Sequence, residues 1–442
     1  MGLIVPAIET PRGREVASDL PRTRTWYGRR YGSYTSWGIA ALIALASIRG
    51  IIVLNTALSP STVYQSTAAC LIMLSVYGFV VRKQTRHAGL RPLKRLLQLN
   101  LLLGIVNIVI ELMLGQRIDP SVLYVYMAPY AIFILMRVPV RYLYSTIAVV
   151  AVAISYSVAD NFVQLLSGPE GLERVSDYNA RLRPDVFQAL SRTGDFYRTG
   201  GYTGSYHDSA NILGMVVCFL FIRFLQEKKI LDLVLFLVSV VCMTLTQSAA
   251  NILVAIFVLT IFSVYALVRS RRATTLAYLF VGVAALGTAA AKLGSAMGIF
   301  TARVGGEGDW GGILISLDAN TLLAATPYVI IGHAGAFGSR IQLTEIGLLK
   351  ELFQIGIIHA VILYWMSLYP VFYFWKSRAR PLVALPAAAA VSFGFLSLIH
   401  YGSLHRVTNV FLFYAFYAMC LVAVLNSEPP RPHAVELPRP IE

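Results

Sequence analysis

The stretch that decides the fold runs from residue 198 to residue 229 and reads RTGGYTGSYHDSANILGMVVCFLFIRFLQEKK. A polar, glycine-rich segment leads into an apolar run over 208–226, and basic residues close the run. An apolar run of about 17–25 residues is long enough to cross a bilayer as an α-helix. The stretch therefore predicts a membrane helix with a polar loop at its start and positive charge at its end.

Apolar runs of this kind recur along the whole chain. The sequence has 442 residues, of which 57% are hydrophobic and 13% are charged, and its mean hydropathy is +0.66. Soluble proteins average about 25% charged residues, so the composition indicates an integral membrane protein. We predict an all-α, polytopic membrane protein with about twelve transmembrane helices. The predicted spans are 34–57, 61–81, 96–114, 120–137, 142–166, 208–226, 229–246, 248–268, 273–292, 342–375, 381–400 and 404–426.

Clusters of basic residues occur in alternate short connections between these spans. Clusters follow the spans that end near 81, 137, 226, 268 and 375, and the first thirty residues are also rich in arginine. Short connections rich in Lys and Arg stay in the cytoplasm, so both termini are predicted to be cytoplasmic. The net charge of +15 is thereby explained by topology rather than by binding to nucleic acid. The four cysteines fall within apolar runs and predict neither disulfides nor a thiolate metal site.

Two connections are much longer than the rest, and both fall on the outer side in this topology. They cover about 167–207 and 293–341, and an apolar part of the second, Ile313 to Ile331, predicts a loop helix or a re-entrant segment. The predicted organisation is a basic N-terminus over 1–33, a transmembrane domain over 34–426 and a Pro-rich tail over 427–442. Long loops in compact proteins are commonly functional, so chemistry is expected at the outer face.

An arginine near the end of each long loop is followed by a glycine at the same interval. Arg198 precedes Gly214 by sixteen positions, and Arg340 precedes Gly356 by the same interval. Each arginine is predicted in a polar loop, and each glycine a few turns inside an apolar helix. Helix N-termini bind phosphate readily, and a guanidinium binds phosphate oxygens bidentately. The alternative is that the arginines contact lipid headgroups or pair with a neighbouring acid.

Two residues are candidates for a general base at this face. Glu345 lies eleven positions before Gly356, at the predicted outer start of the 342–375 helix. His207 opens the 208–226 helix together with Asp208, Ser209 and Asn211, and an imidazole titrates near neutral pH. Glu345 is equally explained as a residue favoured by the helix dipole, and a lone loop histidine is more often structural.

The paired spacing on two outer loops resembles the Wzy-type polymerases, within the superfamily of O-antigen ligases and polymerases. The stretch from Arg303 to Gly338, followed by TEIGLLKELFQIGI, is similar to the large periplasmic loop of that superfamily and the helix after it. Relatives often carry a His where this chain has Glu345, which is a departure from the pattern.

The resemblance implies a glycosyltransferase of the bacterial inner membrane that needs no metal or other cofactor. Its substrate is expected to be an oligosaccharide linked to undecaprenyl pyrophosphate, and its partners membrane lipids and a flippase and chain-length regulator of the same pathway. Arg198, Arg340 and Arg303, with Asn211, Gly214 and Gly356, are then expected to bind the substrate and its pyrophosphate. No nucleotide-binding fingerprint occurs in the sequence. An O-antigen ligase and a lipid-oligosaccharide flippase remain as alternatives.

Overall fold

The chain is an all-α membrane protein, as its composition predicts. The computed structural model describes residues 30–56, 58–85, 87–113, 115, 126–182, 200–203, 206–246, 248–270, 282, 330, 332, 348, 352, 355–377, 381–399 and 407–427. The structure is 91% helical, without strands among these residues. Seven of the described helices are long and apolar enough to cross a membrane, and three shorter apolar helices accompany them.

Twelve α-helices occur within the described residues. They are α1 (Ser33–Asn55), α2 (Pro60–Val81), α3 (Arg91–Met113), α4 (Ile132–Leu135), α5 (Val140–Leu166), α6 (Pro169–Leu182), α7 (Tyr206–Glu227), α8 (Ile230–Leu245), α9 (Ala249–Ser270), α10 (Ile357–Lys376), α11 (Leu385–Leu396) and α12 (Val407–Ser427). Most predicted spans agree with these bounds to within a few residues, because the length of an apolar run directly limits a membrane helix. The predicted span 273–292 lies outside the described residues apart from Gly282.

Two predicted spans are wrong as single continuous helices. The described part of the 120–137 span is a buried segment in which Ala128–Ala131 form a 3-10 turn and α4 makes only one α-helical turn. Pro129 contributes to this break, because proline has no backbone N–H to donate within a helix. The 342–375 span is interrupted at Gly356, and α10 begins only after it.

Side-chain contacts fix the relative directions of the helices. The rings of Trp37 and Tyr142 meet at 5.3 Å, and the Thr146 hydroxyl donates to the Ala40 carbonyl at 3.2 Å. The later residue of α1, Ala40, contacts the later residue of α5, Thr146, so α1 and α5 run parallel.

Helix α8 runs the same way as α5. The Tyr144 hydroxyl, early in α5, donates to Asp232 near the start of α8. The Cys242 thiol, near the end of α8, donates to the Ser155 carbonyl at 3.3 Å.

Helix α7 runs antiparallel to α5. The glycine turn just before α7 packs against Ser157, in the last third of α5, whereas the Arg223 guanidinium near the end of α7 lies 3.7 Å from the Tyr144 ring centroid. Helices α3 and α10 are also antiparallel. His359 contacts Asn100 within α3, while the hydroxyl of Tyr369, further along α10, donates to a carbonyl just before α3 begins.

Basic side chains gather at one end of the bundle, which we call the basic end. Arg137, before α5, donates to the Gln84 side chain at 3.1 Å, and Arg223 pairs with Glu227 at 3.0 Å. The amide of Gln226 donates to a carbonyl just before α11, which brings that connection to the same end. The opposite end, called the far end below, holds the C-termini of α1, α3 and α5 and the N-termini of α2, α7 and α12.

Helix α7 forms the centre of the bundle, and small residues let its neighbours approach closely. Gly214 of α7 lies so near Phe393 of α11 that a Cβ built on it would stand 2.0 Å from the ring. Helix α11 has the sequence LPAAAAVSFGFL, and residues 385–394 are all buried. Small side chains are common at helix contacts in membranes, because they allow the backbones to come together.

Candidate functional site

The first turns of α7 carry polar side chains that are buried at the far end. His207, Asp208, Ser209 and Asn211 have relative exposures of 6%, 3%, 0% and 2%. His207 and Asn211 are four positions apart, so they lie on the same face of the helix. The sequence proposed both residues for the site, and the structure brings them together. Polar groups in a membrane core are costly unless they pair, and they commonly mark functional sites.

A short turn anchors the loop that precedes α7. The hydroxyls of Ser209 and Thr203 both donate to the Gly200 carbonyl, at 2.6 and 2.9 Å. Gly201 adopts a φ of +58°, and a Cβ there would stand 2.6 Å from the Ser157 hydroxyl oxygen of α5. A glycine is therefore needed for both conformation and space. The turn fixes the end of the 167–207 loop between α5 and α7.

The start of α12 meets the start of α7. The Asn409 amide nitrogen, 1% exposed, donates to the Asp208 carboxylate at 3.3 Å. Two helix N-termini with their unsatisfied N–H groups thus converge on one place, and both stabilise negative charge there. No sequence motif singles out Asn409 as part of this site.

Several buried amide oxygens at the far end lack a hydrogen-bond partner among the described residues. They belong to Asn161 of α5, Asn211 of α7, Asn251 of α9 and Asn409 of α12. A buried acceptor left unpaired costs about 1–3 kcal/mol, so each of these oxygens calls for a donor. Hydroxyl groups and guanidinium groups are both suitable donors. The far end is therefore rich in acceptors.

The second arginine–glycine spacing leads to a sharp turn in the chain. Gly356 has φ +80° and ψ 157°, a conformation that is essentially restricted to glycine. The Tyr364 hydroxyl donates to the Leu348 carbonyl at 2.8 Å. In a continuous helix these two residues would be about 24 Å apart, so the chain must fold back at Gly356. The prediction that Gly356 lies inside a helix is wrong, whereas Gly214 does lie two turns inside α7.

A second glycine packs directly on this turn. Gly332 has a φ of +83°, and a Cβ on it would stand 2.4 Å from the Ile355 carbonyl carbon and 2.6 Å from the Gly356 nitrogen. Gly332 and Ile355, the residues that flank the segment 333–354, are therefore in contact. We call this contact between Gly332 and Ile355–Gly356 the glycine elbow.

A hydrogen-bonded network holds the elbow to α3. The His359 Nε2 atom lies 2.9 Å from the Asn100 Oδ1 atom, and its Nδ1 atom lies 3.3 Å from the Asn107 amide nitrogen. Asn107 also donates to the Ile355 carbonyl at 3.2 Å, and the His359 ring stacks on Tyr126 at 5.1 Å. The bonds satisfy a buried histidine and connect two helices, which supports a structural role for His359.

The remaining predicted site residues, Arg198, Arg303, Arg340 and Glu345, lie outside the described residues. Arg198 is separated from the Gly200 carbonyl by one residue in the sequence. Glu345 belongs to the segment that the glycine elbow closes. Among the described residues there is no group of three His, Cys, Asp or Glu side chains that could hold a metal ion, and the four cysteines are free.

Comparison with known proteins gives no assignment. No protein family, no curated protein and no solved structure matches this chain. The functional interpretation therefore depends on the sequence motifs and on the geometry of the far end.

Proposed function

We propose that the protein is a membrane glycosyltransferase that polymerises lipid-linked oligosaccharide repeat units. The growing glycan, carried on undecaprenyl pyrophosphate, passes en bloc to a fresh lipid-linked unit. The observation that carries the proposal is the buried polar site at the far end, where the starts of α7 and α12 meet. The turn at Gly200 supports it, because that turn ties the loop bearing Arg198 to this site.

The proposed orientation places the basic end in the cytoplasm. Arg137, Arg223 and Lys229 lie at this end, and positively charged connections are retained on the cytoplasmic side. The far end then faces the periplasm of a bacterial inner membrane, and both termini are cytoplasmic. Lipid-linked repeat units are available on that side after a flippase of the same pathway has moved them across.

In the proposed reaction, Arg198 and Arg340 hold the pyrophosphate of the glycan donor, with Arg303 as a further basic group. A hydroxyl of the fresh unit attacks the anomeric carbon, and undecaprenyl pyrophosphate leaves. The arginines neutralise charge that develops on the leaving group. The sequence offers Glu345 or His207 as the base that assists the hydroxyl.

A lipid-oligosaccharide flippase is the second candidate, and the glycine elbow favours it. Interrupted helices with buried polar groups beside the break occur at the substrate sites of many transporters. Gly356 interrupts the chain next to His359 and Asn107. The same elbow is also compatible with a polymerase, in which it would hold the segment that carries Arg340 and Glu345.

Deletion of the gene separates the candidate functions. A polymerase mutant should lose long-chain surface polysaccharide and accumulate single lipid-linked repeat units that an impermeant oxidant can reach in the periplasm. A flippase mutant would accumulate single units shielded from that oxidant. A ligase mutant would accumulate full-length polymer on the lipid carrier. Unchanged polysaccharide would contradict all three assignments.

Arginine variants test the proposed pyrophosphate contacts. Arg198→Ala and Arg340→Ala should each reproduce the deletion, and the Lys variants should be impaired too, because lysine cannot bind phosphate bidentately. Arg174→Ala is the matched control, since Arg174 is exposed on α6 at the same end. Normal chain lengths in both Ala variants, at equal protein level, would refute the contacts.

A further inference from the structure

We propose that Asp208 accepts the proton of the attacking hydroxyl, and that Asn409 is the positioning residue that orients its carboxylate. This assignment rests on the proposed polymerase function. Asp208 then takes the role that the sequence offered to Glu345 or His207. The buried polar site where the starts of α7 and α12 meet becomes the subsite for the hydroxyl-bearing acceptor, not for the pyrophosphate.

The surroundings of Asp208 differ from those of an ordinary helix-capping acid. An acidic residue in a first helical turn is usually exposed, and its charge simply complements the dipole. Asp208 is 3% exposed, and the Asn409 amide nitrogen of α12 reaches its Oδ1 atom at 3.3 Å. Asn409 comes 201 positions later in the sequence. A cap needs no such contact from a distant helix, whereas a reacting carboxylate must be held in one orientation.

The hydrogen-bonding groups around Asp208 indicate which ligand the site would bind. The Asn409 Oδ1 atom has no partner among the described residues. The Asn409 amide nitrogen is 3.3 Å from the Asp208 Oδ1 atom. The nitrogen and oxygen of one amide group are about 2.3 Å apart, so the Asn409 Oδ1 atom lies within about 5.6 Å of the carboxylate. Asn211, one helical turn after Asp208, adds a further buried acceptor oxygen. Two unpaired acceptor oxygens beside the carboxylate favour a ligand that donates hydrogen bonds, as a sugar with several hydroxyl groups does.

The Asp208 carboxylate disfavours binding of the pyrophosphate at the same site. A buried carboxylate repels an anion at close range, and the repulsion is stronger in a low-dielectric interior. The convergent helix N-termini are already complemented by Asp208, so they have less positive potential to offer a phosphate. The pyrophosphate of the glycan donor therefore binds away from Asp208, on the loop arginines.

The step balances without any further reagent. The acceptor oxygen forms a bond to the anomeric carbon of the donor glycan as its proton moves to an Asp208 carboxylate oxygen. The bond from the anomeric carbon to the pyrophosphate oxygen breaks, and its electron pair leaves with undecaprenyl pyrophosphate. The proton then passes from Asp208 to solvent or to the departing pyrophosphate, which restores the carboxylate.

The test uses the full-length protein in lipid nanodiscs and the lipid-linked units that accumulate in cells lacking the gene. Asp208→Asn preserves size but removes proton acceptance, so turnover should fall roughly 10²- to 10⁴-fold. Binding of farnesyl pyrophosphate, a soluble isoprenoid pyrophosphate, should be unchanged or tighter, because a negative charge has been removed. Asp177→Asn, on the exposed face of α6, is the matched control and should leave turnover and binding unaffected.

Asn409→Ala tests positioning separately from folding. It should lower kcat at least tenfold, while the KM for the glycan donor and the affinity for farnesyl pyrophosphate stay within about twofold of wild type. Asn409→Asp cannot donate to the carboxylate and should be at least as impaired. A purely structural role would instead lower the yield and unfolding temperature of the protein without separating kcat from KM, and that result would overturn the assignment of Asn409.

The remaining outcomes distinguish the inference from the function on which it rests. If Asp208→Asn is fully active, or if it loses farnesyl pyrophosphate binding while still folded, the assignment of Asp208 is wrong although the polymerase proposal stands. Loss of turnover in Glu345→Gln but not in Asp208→Asn would make Glu345 the base. If gene deletion leaves surface polysaccharide unchanged and wild type binds no farnesyl pyrophosphate, the proposed function fails and takes the inference with it.

Discussion

Replacing Gly214 with alanine should destabilise the protein through a single clash in the bundle core. The new Cβ would stand 2.0 Å from the Phe393 ring, whereas ordinary contacts begin at 3.4 Å, so the atoms must separate by about 1.4 Å. Phe393 is fully buried, and protein interiors are close-packed, so the ring can move only by displacing its neighbours. Overpacking costs about 1–3 kcal/mol, and the better helix propensity of alanine returns about 0.5–1 kcal/mol. We expect a net loss of about 1 kcal/mol.

The destabilising effect of Gly214→Ala should disappear or reverse when the Phe393 ring is removed. The three atoms nearest to the new Cβ are the outer ring atoms of Phe393, which leucine lacks. In a Phe393→Leu background, Gly214→Ala should therefore be neutral or stabilising by about 0.5–1 kcal/mol. The double-mutant cycle should give a coupling energy of about 1–2 kcal/mol, within the range for residues in direct contact.

Unfolding can be followed with the protein's own cysteines. Cys218, Cys242 and Cys420 are buried, so a dye that fluoresces on reaction with thiols reports the loss of structure on heating in detergent. Apparent unfolding temperatures are compared at one heating rate, since membrane proteins commonly unfold irreversibly. Gly38→Ala is the control, because nothing lies within 4 Å of a Cβ at that position of α1. If Gly214→Ala unfolds like the control, or if Phe393→Leu does not change its effect, the contact is not as described.

Three further predictions follow from other parts of the structure. Asp177→Cys, exposed on α6, should react with a membrane-impermeant thiol reagent after the outer membrane is permeabilised, whereas Lys83→Cys should be protected. The reverse labelling pattern would show that the proposed orientation is wrong. Gly356→Ala should lower the stability of the folded protein by about 1–3 kcal/mol in the same thermal assay. Gly115→Ala is the control and should cost less, because Gly115 also has a positive φ but open space around it. Asp232→Leu removes a buried carboxylate that pairs with Arg223 and accepts a hydrogen bond from the Tyr144 hydroxyl. Arg223 keeps its pair with Glu227, so the loss should be about 1–3 kcal/mol, from the donors left unsatisfied. An unfolding temperature equal to wild type would show that these contacts are dispensable.

Sequence reasoning located the polar start of α7 but not its partner. His207 and Asn211 were predictable, because a polar cluster between a glycine-rich loop and an apolar run is visible in the sequence. Asn409 was not, because a single asparagine near the start of an apolar helix is unremarkable until the helix is placed. The break at Gly356 was missed for a related reason. The run IGIIHAVILYW is apolar on both sides of the glycine apart from His359, so hydropathy alone predicts continuity.

By itself, the sequence determined that the chain is an all-α membrane protein, the bounds of most of its helices, and the gathering of basic residues at one end. These properties follow from local quantities, namely the length of an apolar run and the charge of the connection after it. Only the tertiary structure decided that Gly214 is a packing position beneath Phe393 and that Gly356 is an elbow closed by Gly332. It alone placed Asn409 beside Asp208, 201 positions away along the chain. Such contacts depend on which helix faces meet, and no local pattern of hydropathy encodes that choice.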